Sequence, residues 1–105
     1  MIKQISLFLE NKKGRLAHVC RVMGQENINI RALSIADSTD FGVLRLIVDN
    51  PVKAQARLQE RGFLVSVTDV VAIKVPDNPG GLAVALDILE QADVSVEDIH
   101  LKTLY

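Results

Sequence analysis

Apolar and polar positions alternate at the start of the chain and then change period. From residue 2 to 9, Ile5, Leu7 and Leu9 fall on one face and Gln4, Ser6 and Phe8 on the other, which predicts a strand. Glu10 to Lys13 is a polar connection. After Gly14 the apolar residues become Leu16, Val19, Cys20 and Met23, spaced i, i+3, i+4, i+7 along one face of a helix. Residues 28 to 35 return to period two, with Ile28, Ile30 and Ala32 opposed to Asn29, Arg31 and Leu33. Asp37 to Asp40 with Gly42 is a turn cluster, and Val43 to Val48 predicts the next strand. Asp49-Asn50-Pro51 starts a helix, with an Asp or Asn cap and proline in the first turn. Ala54 and Leu58 are its core positions, and Arg61-Gly62 ends it. Phe63 to Val75 reads as extended, with no turn signal inside it.

The pattern then starts again. Ile5 to Ala17 returns as Val71 to Ala83, an offset of 66 (71 minus 5), and the match runs without a gap to Ile30 against Val96. Few positions are identical (Gly14 and Gly80, Leu16 and Leu82, Ala17 and Ala83, Gln25 and Gln91), but apolar positions agree in type throughout. The second copy places Leu82, Ala85, Leu86 and Leu89 where the first has Leu16, Val19, Cys20 and Met23. Asn27 and Asp93 follow the two helices, where tolerance of left-handed backbone is useful. A repeat at fixed offset is one structural unit used twice.

The element order is βαββαβ followed by βαβ. The first six elements form the split βαβ, ferredoxin-like pattern: α+β, an antiparallel sheet with both helices on one face. Residues 1–70 make a complete module and 71–105 a partial second one. In that topology the third strand lies between the first and second, so the second copy leaves a slot that its own residues do not fill. Either the natural chain continues past Tyr105 or a second molecule fills the gap. For the 105-residue form the expectation is a two-fold homodimer that covers Ile99, Leu101 and Tyr105.

Composition narrows the function classes. The net charge of −1 supplies no electrostatic footprint for nucleic acid or an anionic membrane. The lone Cys20 excludes an intramolecular disulfide and a cysteine-based zinc cluster, and reads as a core residue on the helical stripe. No secretory or membrane-spanning run is present, so a cytoplasmic protein is expected. No nucleophile with a base, carboxylate pair or phosphate-binding glycine loop is visible, so neither catalysis nor a cofactor is expected. His18 and His100 have no neighbours at ligand spacing, and no metal site is expected.

The stretch Leu9-Glu10-Asn11-Lys12-Lys13-Gly14-Arg15-Leu16-Ala17, with the later Asn27-Ile28-Asn29-Ile30, resembles the ACT domain family. The second copy carries the family's Pro-Gly as Pro79-Gly80, whereas the first has Lys13 in place of the proline. The resemblance covers essentially the whole chain and implies a non-catalytic regulatory module that binds an amino acid between modules. The residues it singles out are Asn11, Gly14, Arg15, Leu16 and Asn29 in the first copy. In the second they are Asp77, Asn78, Gly80, Gly81, Leu82 and Ser95. Such a loop suits the ligand, because free N–H groups at a helix N-terminus attract a carboxylate and asparagine meets both carboxylate and ammonium. Some serine-regulated members carry a histidine where this chain has Leu9 and Val75, which leaves the amino acid open. Each feature also has a plainer reading: turn glycines, turn asparagines, a solvated loop for Lys12, Lys13 and Arg15. The competing functions are a nucleic-acid-binding or protein-interaction domain of the same fold, and a small acylphosphatase-like enzyme resting on Arg15 alone.

Overall fold

A computed structural model describes residues 2–10, 12–37 and 40–96. The elements are β1 (Ile2–Glu10), α1 (Arg15–Gln25), β2 (Ile30–Asp37), β3 (Phe41–Val48), α2 (Pro51–Glu60), β4 (Val65–Val70) and α3 (Gly81–Gln91). The chain divides into two compact units, Met1–Val71 and Ala72–Tyr105.

In the first unit the strands form one antiparallel sheet in the order β2-β3-β1-β4. The predicted alternation of β1 is observed: Ile5, Leu7 and Leu9 are buried, and Phe8 on the other face is exposed. Ile5 faces Leu46 and Leu7 faces Leu44 across the β1–β3 ladder, so the two central strands present one apolar surface. Val19, Val22 and Met23 of α1 and Ala54 and Leu58 of α2 close the core from that side. The fold is α+β, the split βαβ arrangement expected from the element order.

Helix boundaries follow from caps. The Asn50 side chain accepts a hydrogen bond from the Lys53 backbone N–H at 3.2 Å, and Pro51 occupies the first turn. After α1, Asn27 takes φ 56°, its N–H donates to the Gly24 carbonyl, and the Ile28 N–H donates to the Met23 carbonyl at 2.8 Å. That pair of bonds is a Schellman closure, and Gly62 ends α2 in the same way. Glu26 at the end of α1 then ties the helices together. Its carboxylate takes Arg57 at 3.1 Å and Arg61 at 3.6 Å, and its carbonyl accepts from Lys53 Nζ at 2.6 Å. Cations at a helix C-terminus also meet the negative end of its dipole.

Two expectations need correction. Cys20 is exposed and Leu16 only partly covered, while Val22, outside the expected stripe, is buried. The cause is α2. It packs on the side of α1 that carries Val22 and Glu26, so the buried face rotates toward it and leaves Cys20 on the opposite flank. In β2 the expected alternation breaks at Arg31, where the register shifts between Ile30 and Ala32. Beyond this bulge Leu33 and Ile35 oppose Leu46 and Leu44 on the helix side, and Ala32 turns to the outer face.

In the second unit α3 repeats α1 residue for residue. Both helices span 11 residues, each follows a glycine at φ 85°, and Asp93 at φ 58° stands where Asn27 stands. Residues 71 to 75, expected to continue as a strand, carry no ladder among the described residues, and β4 ends at Val70. A strand exists through its neighbours, and residues 71 to 75 have none among the described residues. Ile99, His100, Leu101 and Tyr105 lie outside the described residues.

Truncation separates the buried from the exposed positions. Leu46→Ala should cost about 2–5 kcal/mol of unfolding free energy by denaturant titration. Cys20→Ala, made on the exposed flank, should stay within about 0.5 kcal/mol of the parent.

Candidate functional site

The loop leaving β1 is anchored on a central strand of the sheet. Leu9 is in the core, and one residue later Glu10 stands in solvent. Gly14 at φ 85° turns the chain into α1; left-handed backbone is costly for any residue with a Cβ, which fits glycine there. The first helical bond runs from the His18 N–H to the Gly14 carbonyl at 2.9 Å. The N–H groups of Leu16 and Ala17 in the first turn therefore have no intrahelical acceptor, and Gly14 has no side chain with which to cap them. These are the groups that suit a carboxylate.

The sequence reading did not single out Glu10. Its carboxylate pairs with Lys12 at 2.9 Å and with Arg15 at 3.5 Å, so Arg15 is held against the loop. The hydrogen bond from Lys12, then the charges of Lys12 and Arg15, hold the Glu10 carboxyl below the usual carboxylate range. An acid at a strand end followed by cations two and five residues on was the available signal.

Within one module the expected residues do not meet. Phe41 is level with Glu10 and Val48 with Ile30, so the Gly14 loop and Asn29 lie at opposite ends of the sheet. Seven residue steps of β3 (48 minus 41) make that about 23 Å. Asn29 is exposed, and its backbone exchanges hydrogen bonds with Asp49: the N–H donates to Asp49 Oδ1 at 3.1 Å and the carbonyl accepts the Asp49 N–H at 3.1 Å. Asn11 lies outside the described residues.

The second module repeats the loop with different chemistry. Asp77, Asn78 and Gly80 are exposed, Gly81 is buried, Leu82 is half-buried, and Ser95 is exposed beyond the far end of α3. Val75, Pro76, Val84, Ala85, Ile88 and Leu89 help line an open apolar groove of about 200 Å³. Among the described residues no group of three or more His, Cys, Asp or Glu is placed to hold a metal ion. No helix among them is long and apolar enough to cross a membrane.

Three comparisons bear on this arrangement. The family description "ACT domain pair" matches residues 1–104. A crystal structure of a protein from Bacteroides thetaiotaomicron aligns with TM-score 0.88 and 49% identity over 92% of this chain and 67% of that one. The ACT domain of prephenate dehydrogenase from Bacillus anthracis aligns with TM-score 0.55 and 28% identity over 60% of this chain and 99% of that one. The regulatory subunit of aspartate kinase from Thermus thermophilus, ligand free, aligns with TM-score 0.73 over 96% of this chain and 76% of that one; at 16% identity it speaks to fold alone. No curated protein matches the chain.

The two helix-opening glycine positions should respond differently to a methyl group. At Gly14 a Cβ meets nothing within 4 Å, so Gly14→Ala should cost about 1–2 kcal/mol, the price of left-handed backbone. At Gly81 a Cβ collides with the Pro76 carbonyl oxygen, so the lowering of the melting temperature should be larger there. For Glu10, carboxyl NMR titration should give a pKa below the ordinary value, and Lys12→Ala should raise it. Because folding depresses this pKa, the small stabilisation from the pair is present above the unfolded pKa and is lost as pH falls through the folded one.

Proposed function

The chain belongs to the ACT domain family, a family of regulatory, non-catalytic, small-ligand-binding modules, and we propose that it binds a small amino acid at an interface between modules. The observation that carries the reading is the start of α1. A left-handed glycine exposes first-turn N–H groups without intrahelical acceptors, and Lys12 and Arg15 flank them. The ligand carboxylate sits on those N–H groups. An apolar amino acid is the first candidate, because Leu9 and Val75 stand where serine-regulated relatives carry a histidine. The chain acts without catalysing a reaction, in the cytoplasm.

Asn29 enters this site from a second copy. β2 is an edge strand, and its helix-side residues Leu33 and Ile35 are 37% and 49% exposed. Two β2 edges that pair antiparallel about a two-fold axis would bury these side chains. They would also carry Asn29 of one copy to the Gly14 end of the other. The proposed state is therefore a homodimer, with Asn29 completing a site that one module leaves half built.

A second reading has one observation behind it. Phe8 on β1 and Phe41 on β3 are diagonal neighbours on the sheet face away from the helices, and both are more than half exposed. Paired aromatics on the central strands are how some domains of this topology stack single-stranded bases. The net charge of −1 weighs against it, and gel retardation of single-stranded RNA at low salt would decide for it.

Thermal-shift and calorimetric titration with each of the twenty amino acids tests the main reading. At about 100 times the dissociation constant the bound ligand should add about 2.7 kcal/mol of stability. No heat and no shift at millimolar concentration with any of them would sink the proposal. Asn29→Ala should weaken binding at least tenfold and leave the melting temperature of the free protein unchanged. Light scattering should give twice 11.5 kDa, and a stable monomer would exclude the dimer site.

A further inference from the structure

We propose that the apolar groove of the second unit is a docking site for a segment of another polypeptide, an apolar strand followed by a cationic amphipathic helix, seated as β3 and α2 are seated in the first unit. This inference stands apart from the amino-acid reading and holds or fails without it.

The repeat identifies the occupant. The 66-residue offset pairs Ile73, Val75, Ala85, Ile88 and Leu89 of the groove with Leu7, Leu9, Val19, Val22 and Met23. All five counterparts are buried in the first unit. There β3 sets Leu44 beside Leu7 in the ladder, and α2 adds Ala54 and Leu58 to the same core. In the second unit Ile73, Val84 and Ile88 are more than half exposed, and residues 71 to 75 carry no ladder among the described residues. The groove of about 200 Å³ thus lies at the positions that β3 and α2 cover in the first unit. Unpaired extended backbone beside an apolar groove is suited to an added strand.

Charge decides between occupants. Residues 72 to 96 hold Lys74 against Asp77, Asp87, Glu90 and Asp93, a net charge of −3 (one minus four). Asp87, Glu90 and Asp93 are exposed along the last turns of α3 and just beyond it, where the helix dipole is also negative. A second copy docked groove to groove would set like charge against like. The complement is visible in the first unit, where α2 places Lys53, Arg57 and Arg61 on the carbonyl and carboxylate of Glu26 at the end of α1. Residues 41 to 61 hold Arg45, Lys53, Arg57 and Arg61 against Asp49 and Glu60, a net charge of +2 (four minus two). A segment of this kind matches the groove in both pattern and charge.

The probe is a synthetic peptide of residues 41 to 61, added to the isotope-labelled full chain and followed by NMR and calorimetry. One equivalent should bind saturably, shifting the signals of Ile73, Val84 and Ile88 and leaving those of Leu7 and Val19 in place. Ile88→Asp, made at an exposed position, should weaken binding at least tenfold. A peptide carrying Lys53→Glu, Arg57→Glu and Arg61→Glu should bind at least tenfold more weakly than its parent. Ordering a free peptide opposes binding, so the same segment is also tethered to the C-terminus through a flexible Gly-Ser linker, at an effective concentration of about millimolar. The Ile73 and Val75 amides should then gain protection from hydrogen exchange. No binding in either format overturns the proposal, and so does equal binding of the charge-reversed peptide. Slow exchange of Ile73 and Val75 in the chain alone overturns it too. Protection that rises with concentration would assign the groove to a second copy, and protection independent of concentration would assign it to the chain itself.

Discussion

The ladder between β1 and β3 is the constraint on which the other parts of the first unit depend. Ile5, Leu7 and Leu9 interleave with Leu44, Leu46 and Val48 to make the floor on which both helices rest. A one-residue slip of β1 in this register would turn Ile5, Leu7 and Leu9 to solvent and bring Ser6 and Phe8 underneath the helices. Because β1 is flanked on both sides, by β3 and β4, its C-terminal end emerges at the middle of the sheet. The Gly14 loop is thus carried by one of the two central strands. A binding loop built on a rigid strand end needs little ordering when a ligand arrives.

What the two modules share most closely is backbone conformation. Glycine at φ 85° opens each helix, and Asn27 at 56° and Asp93 at 58° close them with the same pair of hydrogen bonds. The side chains between those points were free to diverge, and they did. Arg15 became Gly81, Cys20 became Leu86, and Lys12 became Asn78. Asparagine and aspartate substitute for each other at the closing position because both tolerate left-handed backbone, a property of the short polar side chain that charge does not alter.

This explains which parts of the structure were legible in the sequence. Strand alternation, capping by Asn50 and Pro51, the stop at Gly62 and the left-handed closure at Asn27 are local, and local rules located them. The exposure of Cys20 was not legible, because it depends on which side of α1 receives α2, and the helical period does not record that. The bulge at Arg31 adds one residue to β2 without any glycine or proline to announce it. For the site, the glycine loops were readable as turns that free helix N–H groups. The close packing of Pro76 on Gly81 was not, because it turns on the position of one carbonyl relative to one absent methyl group.

The second unit differs from the first in energetic standing. Its described residues offer one helix and one extended segment, and α3 leaves Val84 and Ile88 about 60% exposed beside the apolar groove. Among the described residues α3 buries Gly81, whereas the first unit closes a core between its sheet and both helices. At Gly81 the Pro76 carbonyl packs against the start of α3 so closely that only glycine, with no Cβ, fits there.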